Sequence, residues 1–480
     1  MLKKILFIST LSIFAFHISW GQNFQSVAFL KYYSPAELAQ LALFSTTFDA
    51  GANAYKVTYK TTSLEGDSVT VSGLLALPED LTKRYPMACY QHGTSGTKEN
   101  VPSRLELDAG IAVSMAAKGF VTVSPDLLGL GDHLDIHPYV HAASEAWVAV
   151  DMMRALRNYA HANDIYLNDQ VFISGYSQGG HSAMALHRHL EQNLSNEFKV
   201  TAAAPMSGPY SIREVMYDLI VSEEVYTRPA YLINTFISYQ RVYGNIYTDI
   251  AAAFKVPYRQ LVEDFSNNLI SLGELDIALS DSLTAIEGAI IPVKVLNDSY
   301  IDAIISNPDH PMLLAMEDNN VYDWAPQAPT RLYYCEADEE VPFENSILAE
   351  TTMKDNGAID VQAINLNPFL THFICALPAA VTSVNFFETY QLVEDVALST
   401  GEADLYGLEI FPNPSNGHLT LRNQPNNGEL SIIDLNGREQ YRFSVLQGDN
   451  QLSIIGLTKG IYTLRVISGE IVRSQKLVIR

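Results

Sequence analysis

Three cysteines occur in 480 residues: Cys89, Cys335 and Cys375. So sparse and odd a set is no disulfide framework even in an oxidising compartment, and it has no zinc spacing. Cys335 and Cys375 pair if the elements that carry them are neighbours; buried free thiols fit the sequence equally well. Basic residues are also scarce, 30 Lys and Arg against 54 Asp and Glu, for a formal charge of −24. A surface that acidic repels nucleic acid and anionic lipid headgroups, so nucleic-acid partners are set aside. Past the N-terminus no stretch reaches the ~18 unbroken apolar residues of a membrane span, so no transmembrane span is expected in the mature chain.

What is present is a large apolar share, 48 %, beside 18 % charged residues, enough for a sizeable core. The length suits two folded units. Residues 1–21 read MLKKILFISTLSIFAFHISWG: two lysines, an apolar stretch, then Ser19 and Gly21 ahead of Gln22. That is the three-part layout of a secretory signal peptide, with a buried N-terminal helix as the alternative. Ser34-Pro35-Ala36-Glu37 has capping-box spacing and starts a helix. AYKVTYKTT (54–62) and DSVTVSGLLALPE (67–79) alternate and read as an antiparallel hairpin.

From residue 86 short apolar strands alternate with helical stretches. A strand running into a glycine turn is expected at 86–94, a strand and loop at 120–132, and strands at 170–177 and 199–210, with helices at 106–119, 143–163 (Ser144 as its cap) and 181–194. That rhythm argues for a mostly parallel sheet with helices on both faces. Residues from about 209 to 325, rich in Tyr, Leu and Ile, interrupt it as a helical cap insertion or a separate helical domain. Strands return at 330–342 and 360–366, around a helix near 345–355. From residue 405 the chain carries eight basic against six acidic residues, and turn pairs such as Asn416-Gly417 and Lys459-Gly460 separate short strands. This reads as a small C-terminal β-sandwich.

The chemistry centres on Gly175-Tyr176-Ser177-Gln178-Gly179, between a strand (VFIS) and a helix. A nucleophile elbow has that context: the serine sits in a strained turn, and side chains two residues to either side clash. A serine hydroxyl needs a histidine to take its proton and a carboxylate to orient the histidine, in the chain order Ser, acid, His for this layout. His310, His372 and His418 follow the elbow beyond its own helix; His310 falls in the insertion and His418 in the tail. His372 remains, in a loop after the last core strand. Asp338, in ADEEVP (337–342), ends the preceding strand; Glu336, Glu339 and Glu340 compete with it but read as solvated turn charges. An oxyanion hole takes one N–H from Gln178 and a second from the QHGTSG loop (91–96), at Thr94 or Gly93, while His92 shapes that loop. Asp132, His133, Asp135, His137 and His141 also cluster, but Pro138 disfavours a helix through His137, so a polar loop bordering the site is expected rather than a metal site.

With these residues in order, the region 30–392 resembles the α/β-hydrolases. Within them it is similar to the secretory lipases of fungi and bacteria, through YQHGT, SPDLLGLGD, HPYVHAASEA, GYSQGGHSA and ADEEVP. The resemblance implies an insertion that lids an acyl-binding pocket, and an acyl ester or lipid substrate. Residues 405–480 resemble the C-terminal sorting domain of the type IX secretion system, through Ile410-Phe411-Pro412-Asn413-Pro414, the Asp434–Arg438 turn and Lys459-Gly460-Ile461-Tyr462. That implies export by the type IX machinery of a Gram-negative cell; a carbohydrate-binding sandwich is the alternative. The expected organisation is a signal peptide (1–21), a catalytic domain (22–398), a linker (399–404) and a sorting domain (405–480). The expected activity is a secreted serine lipase or carboxylesterase that uses Ser177, His372 and Asp338 and no cofactor. A serine peptidase of the same fold and a catalytically silent surface adhesin are the alternatives.

Overall fold

The computed structural model describes residues 23–41, 47–106, 108–396, 409–424, 427–434, 438–468 and 471–480. The expected signal peptide and the 399–404 linker lie outside these residues. The chain divides into two compact units, Met1–Asp395 and Val396–Arg480.

The first unit is built on one sheet. Its strands are β1 (Ser26–Tyr33), β2 (Ala52–Thr62), β3 (Ser68–Pro78), β4 (Lys83–Gln91), β5 (Val121–Pro125), β6 (Tyr166–Tyr176), β7 (Lys199–Met206), β8 (Thr330–Cys335), β9 (Val361–Asn367) and the short β10 (Glu394–Asp395). They run in the order β1-β2-β3-β5-β4-β6-β7-β8-β9, with β10 pairing β4. The hairpin side, β1 through β3 to β5, is antiparallel. From β5 across to β9 the pairings are parallel, apart from the antiparallel pair that β10 makes with β4. The β2–β3 register runs unbroken from Ala52↔Pro78 to Thr62↔Ser68, as the alternation in the sequence requires.

Helices α1 (Pro35–Leu41), α2 (Ala109–Ala117), α3 (Ala142–Ala162) and α4 (Gln178–Asn193) punctuate the strands. Between β7 and β8 come α5 (Tyr217–Val221), α6 (Pro229–Tyr243), α7 (Ile250–Ala253), α8 (Arg259–Ser266), α9 (Leu272–Glu287), α10 (Asp298–Ser306) and α11 (Pro311–Asp318); α12 (Glu344–Asp355) and α13 (His372–Glu388) follow β8 and β9. Alternate strand residues face opposite ways, and the core divides accordingly. Val57, Leu75, Val123 and Ile173 pack with Met152 of α3 and Leu186 of α4. Ala54, Leu74, Ala88 and Phe172 pack on the other face with Val113 of α2 and Phe387 of α13. The insertion has a core of its own, including Phe236, Leu275, Leu279 and Met316.

Two helix starts compare sequence with structure. At α1 the capping box forms: Glu37 N–H donates to Ser34 Oγ (3.3 Å) and Ser34 N–H to Glu37 Oε2 (3.0 Å). At α3 the expected cap does not form. His141 takes the N-cap position, Ser144 lies inside the first turn, and Ala142 N–H donates to Asn319 Oδ1 (2.8 Å), 177 residues away. The second unit has two antiparallel sheets, β11 (Glu409–Phe411), β12 (His418–Gln424) and β15 (Gly448–Ser453) in one, and β13 (Gly428–Ile433), β14 (Glu439–Val445), β16 (Gly460–Ser468) and β17 (Ile471–Ile479) in the other. Leu421 and Leu452 of the first share a core with Ile432 and Leu464 of the second.

Candidate active site

The central strand β6 ends in the elbow. Ser177 has φ +60° and ψ −124°, a strained conformation for a residue with a Cβ. The flanking glycines are obligatory on steric grounds. A Cβ on Gly175 falls 2.2 Å from Gly179 O, and one on Gly179 falls 2.1 Å from Gln91 O. The α4 helix that starts here points its N-terminus at the serine.

Ser177 Oγ lies 2.8 Å from His372 Nε2, and His372 Nδ1 lies 2.7 Å from Asp338 Oδ2. A carboxylate only accepts, so Nδ1 carries the proton and Nε2 offers its lone pair to the Ser177 hydroxyl. His372 is not in a loop, as expected, but is the first residue of α13. Its backbone is held at both ends: its N–H donates to Glu339 Oε2 (2.9 Å), and its carbonyl accepts from Tyr176 OH (2.6 Å). Asp338 is fixed by the N–H groups of Glu340 (3.1 Å) and Val341 (2.8 Å) on Oδ1. A disulfide joins Cys335, at the end of β8, to Cys375, in the first turn of α13, with Cα atoms 6.1 Å apart. It ties the strand that leads to Asp338 to the helix that starts with His372. Burial disfavours the imidazolium, yet the Asp338 hydrogen bond and the charges of Asp338, Glu340 and Glu339 outweigh it, so the pKa of His372 stands above its ordinary 6.5.

The two candidates for the second oxyanion donor differ. Gly93 N–H donates to the half-buried Asp108 carboxylate (2.7 Å), so it is already used. Among the described residues Thr94 N–H has no acceptor, and its hydroxyl meets Tyr139 OH at 3.1 Å. Gln178 N–H is one of the unpaired donors that open α4. His92 is buried, its ring nitrogens against the Gly93 and Asp126 carbonyls (2.7 and 3.2 Å), and braces the loop.

Behind the elbow lies a buried polar line. The Gln178 amide nitrogen donates to Glu145 Oε1 (2.9 Å) and His137 Nε2 (2.7 Å). Glu145 Oε2 meets His181 Nδ1 at 2.7 Å, and His181 Nε2 meets Asn319 O at 2.9 Å. The His181 ring thus bridges the Glu145 carboxylate and the Asn319 carbonyl, and His181 and Glu145 are both 1 % exposed or less. His137 is the opposite case: burial holds its pKa down at about 4, and its Nδ1 donates to Leu128 O (2.7 Å). The other members of the Asp132–His141 cluster are used elsewhere. Asp132 pairs with Lys56 and Arg104, Asp135 with Arg241, and His141 Nδ1 with Ser144 Oγ.

A pocket open to solvent adjoins Ser177 and is lined by Tyr139, Ile212, Met216, Tyr231 and Leu232 beside Glu340. Glu340 corrects the sequence reading. It is 4 % exposed, with Oε2 4.0 Å from His372 Nε2, and is no solvated turn charge. Nothing local marks it, because it is buried by residues of the insertion more than a hundred positions away.

The comparisons with known proteins agree with this fold. Residues 409–480 match the secretion system C-terminal sorting domain. The chain carries a type IX sorting domain. That domain directs it to the cell surface or the extracellular space. The rice cell wall degrading esterase LipA from Xanthomonas oryzae is 28% identical over 77% of this chain and 98% of its own, with a TM-score of 0.68. Candida antarctica lipase A in its closed state is 14% identical over 77% of this chain and 81% of its own, with a TM-score of 0.55, a likeness of fold alone. The first unit has the α/β-hydrolase fold. No curated protein sequence matches the chain significantly.

Proposed function

We propose that this protein is a secreted serine ester hydrolase, a lipase or carboxylesterase. The observation that carries the reading is the continuous hydrogen-bonded line Ser177–His372–Asp338, with distances of 2.8 and 2.7 Å, at the wall of an apolar cavity. In this reading His372 Nε2 takes the proton of Ser177 as Oγ attacks the ester carbonyl, and Asp338 stabilises the imidazolium. The developing oxyanion accepts from the N–H groups of Gln178 and Thr94. His372 then passes its proton to the leaving alcohol. Water attacks the acyl-enzyme with the same base, freeing the acid and restoring Ser177, with no cofactor. Residues 209–325 act as a cap that shapes the acyl pocket, and residues 1–21 as the export signal. The similarity to an esterase over nearly all of that protein's length supports an ester rather than an amide substrate.

A panel of p-nitrophenyl esters of rising acyl length, assayed with and without a lipid–water interface, tests the reading. Turnover that is abolished in Ser177→Ala is the expected result. Hydrolysis of peptide amides with no turnover of any ester overturns it.

A further inference from the structure

A histidine base ordinarily has its carboxylate on the Nδ1 side. Here a second carboxylate stands on the other side: Glu340 Oε2 is 4.0 Å from His372 Nε2, the nitrogen that faces Ser177. A carboxylate that is only 4 % exposed needs hydrogen-bonding partners, and those of Glu340 come from the helical insertion. Arg228, just before α6, donates from Nε to Oε1 (2.8 Å), and Tyr231 of α6 donates its hydroxyl to Oε2 (3.1 Å). Tyr226 donates to the Glu340 carbonyl (2.9 Å), fastening the backbone of the acid's loop to the insertion. Arg228 also reaches Asp276 of α9 at 3.4 Å, so its charge is divided between two carboxylates.

We propose, resting on the Ser177–His372–Asp338 reading, that Glu340 is a positioning residue for the base: its carboxylate stabilises the imidazolium from the Nε2 side, and Arg228 of the insertion sets how much of that charge His372 feels. The remaining groups around His372 act elsewhere on it: Asp338 at Nδ1, Glu339 at the backbone N–H, and Tyr176 at the carbonyl. As Nε2 takes the serine proton, positive charge forms 4.0 Å from Glu340 Oε2. In so buried a place that separation is strongly felt, whereas the guanidinium on the far oxygen offsets part of it. The position of the insertion thus enters the chemistry through one ion pair.

The test is the pH dependence of kcat/KM for p-nitrophenyl butyrate, on the full chain, between about pH 5 and about pH 9, normalised to sites titrated with a fluorophosphonate. Glu340→Gln removes the second charge, and the midpoint of the acidic limb falls by about one pH unit; Arg228→Gln unmasks it, and the midpoint rises by about half a unit. A merely structural role lowers the titrated fraction and leaves the midpoint in place. An unmoved midpoint in either variant overturns the proposal. Arg228 is partly exposed, with its side chain 44% accessible, so its variant keeps the test open should Glu340→Gln not fold. A wild-type chain that no fluorophosphonate labels overturns the Ser177 reading itself, whereas a labelled chain with unmoved midpoints overturns only the role of Glu340.

Discussion

Loss of the Cys335–Cys375 disulfide should lower the stability of the first unit by an amount that follows from the loop it closes. The two cysteines are 40 residues apart in sequence. Closing a loop of that length in the unfolded chain costs entropy equivalent to about 4 kcal/mol at 25 °C. A unit of roughly 370 residues, at about 2.1 cal/mol/K per residue, unfolds with close to 0.8 kcal/mol/K, so the loss lowers Tm by about 5 °C. The assay is calorimetry of Cys335→Ala/Cys375→Ala beside wild type, with thiol titration as its companion. No thiol should react in the native protein, because the remaining one, Cys89, is fully buried. One should react after denaturation without reductant, and all three after reduction. The double variant should still turn over ester, since Glu339 and Tyr176 hold His372 independently of the disulfide. Three reactive thiols in the denatured, unreduced protein contradict the Cys335–Cys375 bond, and a Tm within about 1 °C of wild type contradicts its stabilising role.

Three further outcomes follow from the site. Glu145→Ala leaves the buried His181 Nδ1 and Gln178 amide without their acceptor and should cost about 1–3 kcal/mol in urea unfolding, with Glu145→Gln milder; equal stability of the alanine variant contradicts the pairing. Because the folded-state pKa of His372 is raised, its contribution to stability is complete below the unfolded value of 6.5 and is lost as pH climbs through the folded one, while activity, which needs the free lone pair, rises over the same interval. The acidic limb of kcat/KM should therefore be centred above 6.5, and the stability gap between wild type and His372→Ala should narrow as pH rises; a limb centred below 6.5 contradicts this. Gly179→Ala puts a Cβ 2.1 Å from Gln91 O and should abolish fluorophosphonate labelling, whereas Gly96→Ala, which meets nothing within 4 Å, should keep it.

The parts legible in the sequence are those set by neighbours along the chain. The β2–β3 hairpin shows as alternation, the parallel strands as short apolar runs, and the elbow as glycines whose spacing answers a local clash. Chain order then led from Ser177 to Asp338 and His372, three residues from three distant elements that the fold brings within hydrogen-bonding distance. What escaped depends on distant partners. The edge strand β1 leaves Phe29 59% exposed and pairs on one side only, so no buried face patterns its residues. Ser144 has the right chemistry for a cap, but Asn319 fills that place from across the fold. Glu340 and His181 look like ordinary polar residues until Arg228, Tyr231 and Glu145 are brought against them. Gly93 and Thr94 are equivalent candidates in sequence; the Asp108 carboxylate separates them.

Activation of Ser177 by His372 is the step on which the proposed chemistry depends. The most direct measurement is reaction of the full chain with a fluorophosphonate, followed by peptide mass mapping of the adduct. The expected result is a single adduct on Ser177, absent in Ser177→Ala and formed on the order of 10³-fold more slowly in His372→Ala. No adduct, an adduct on another residue, or an equal rate in His372→Ala would contradict it.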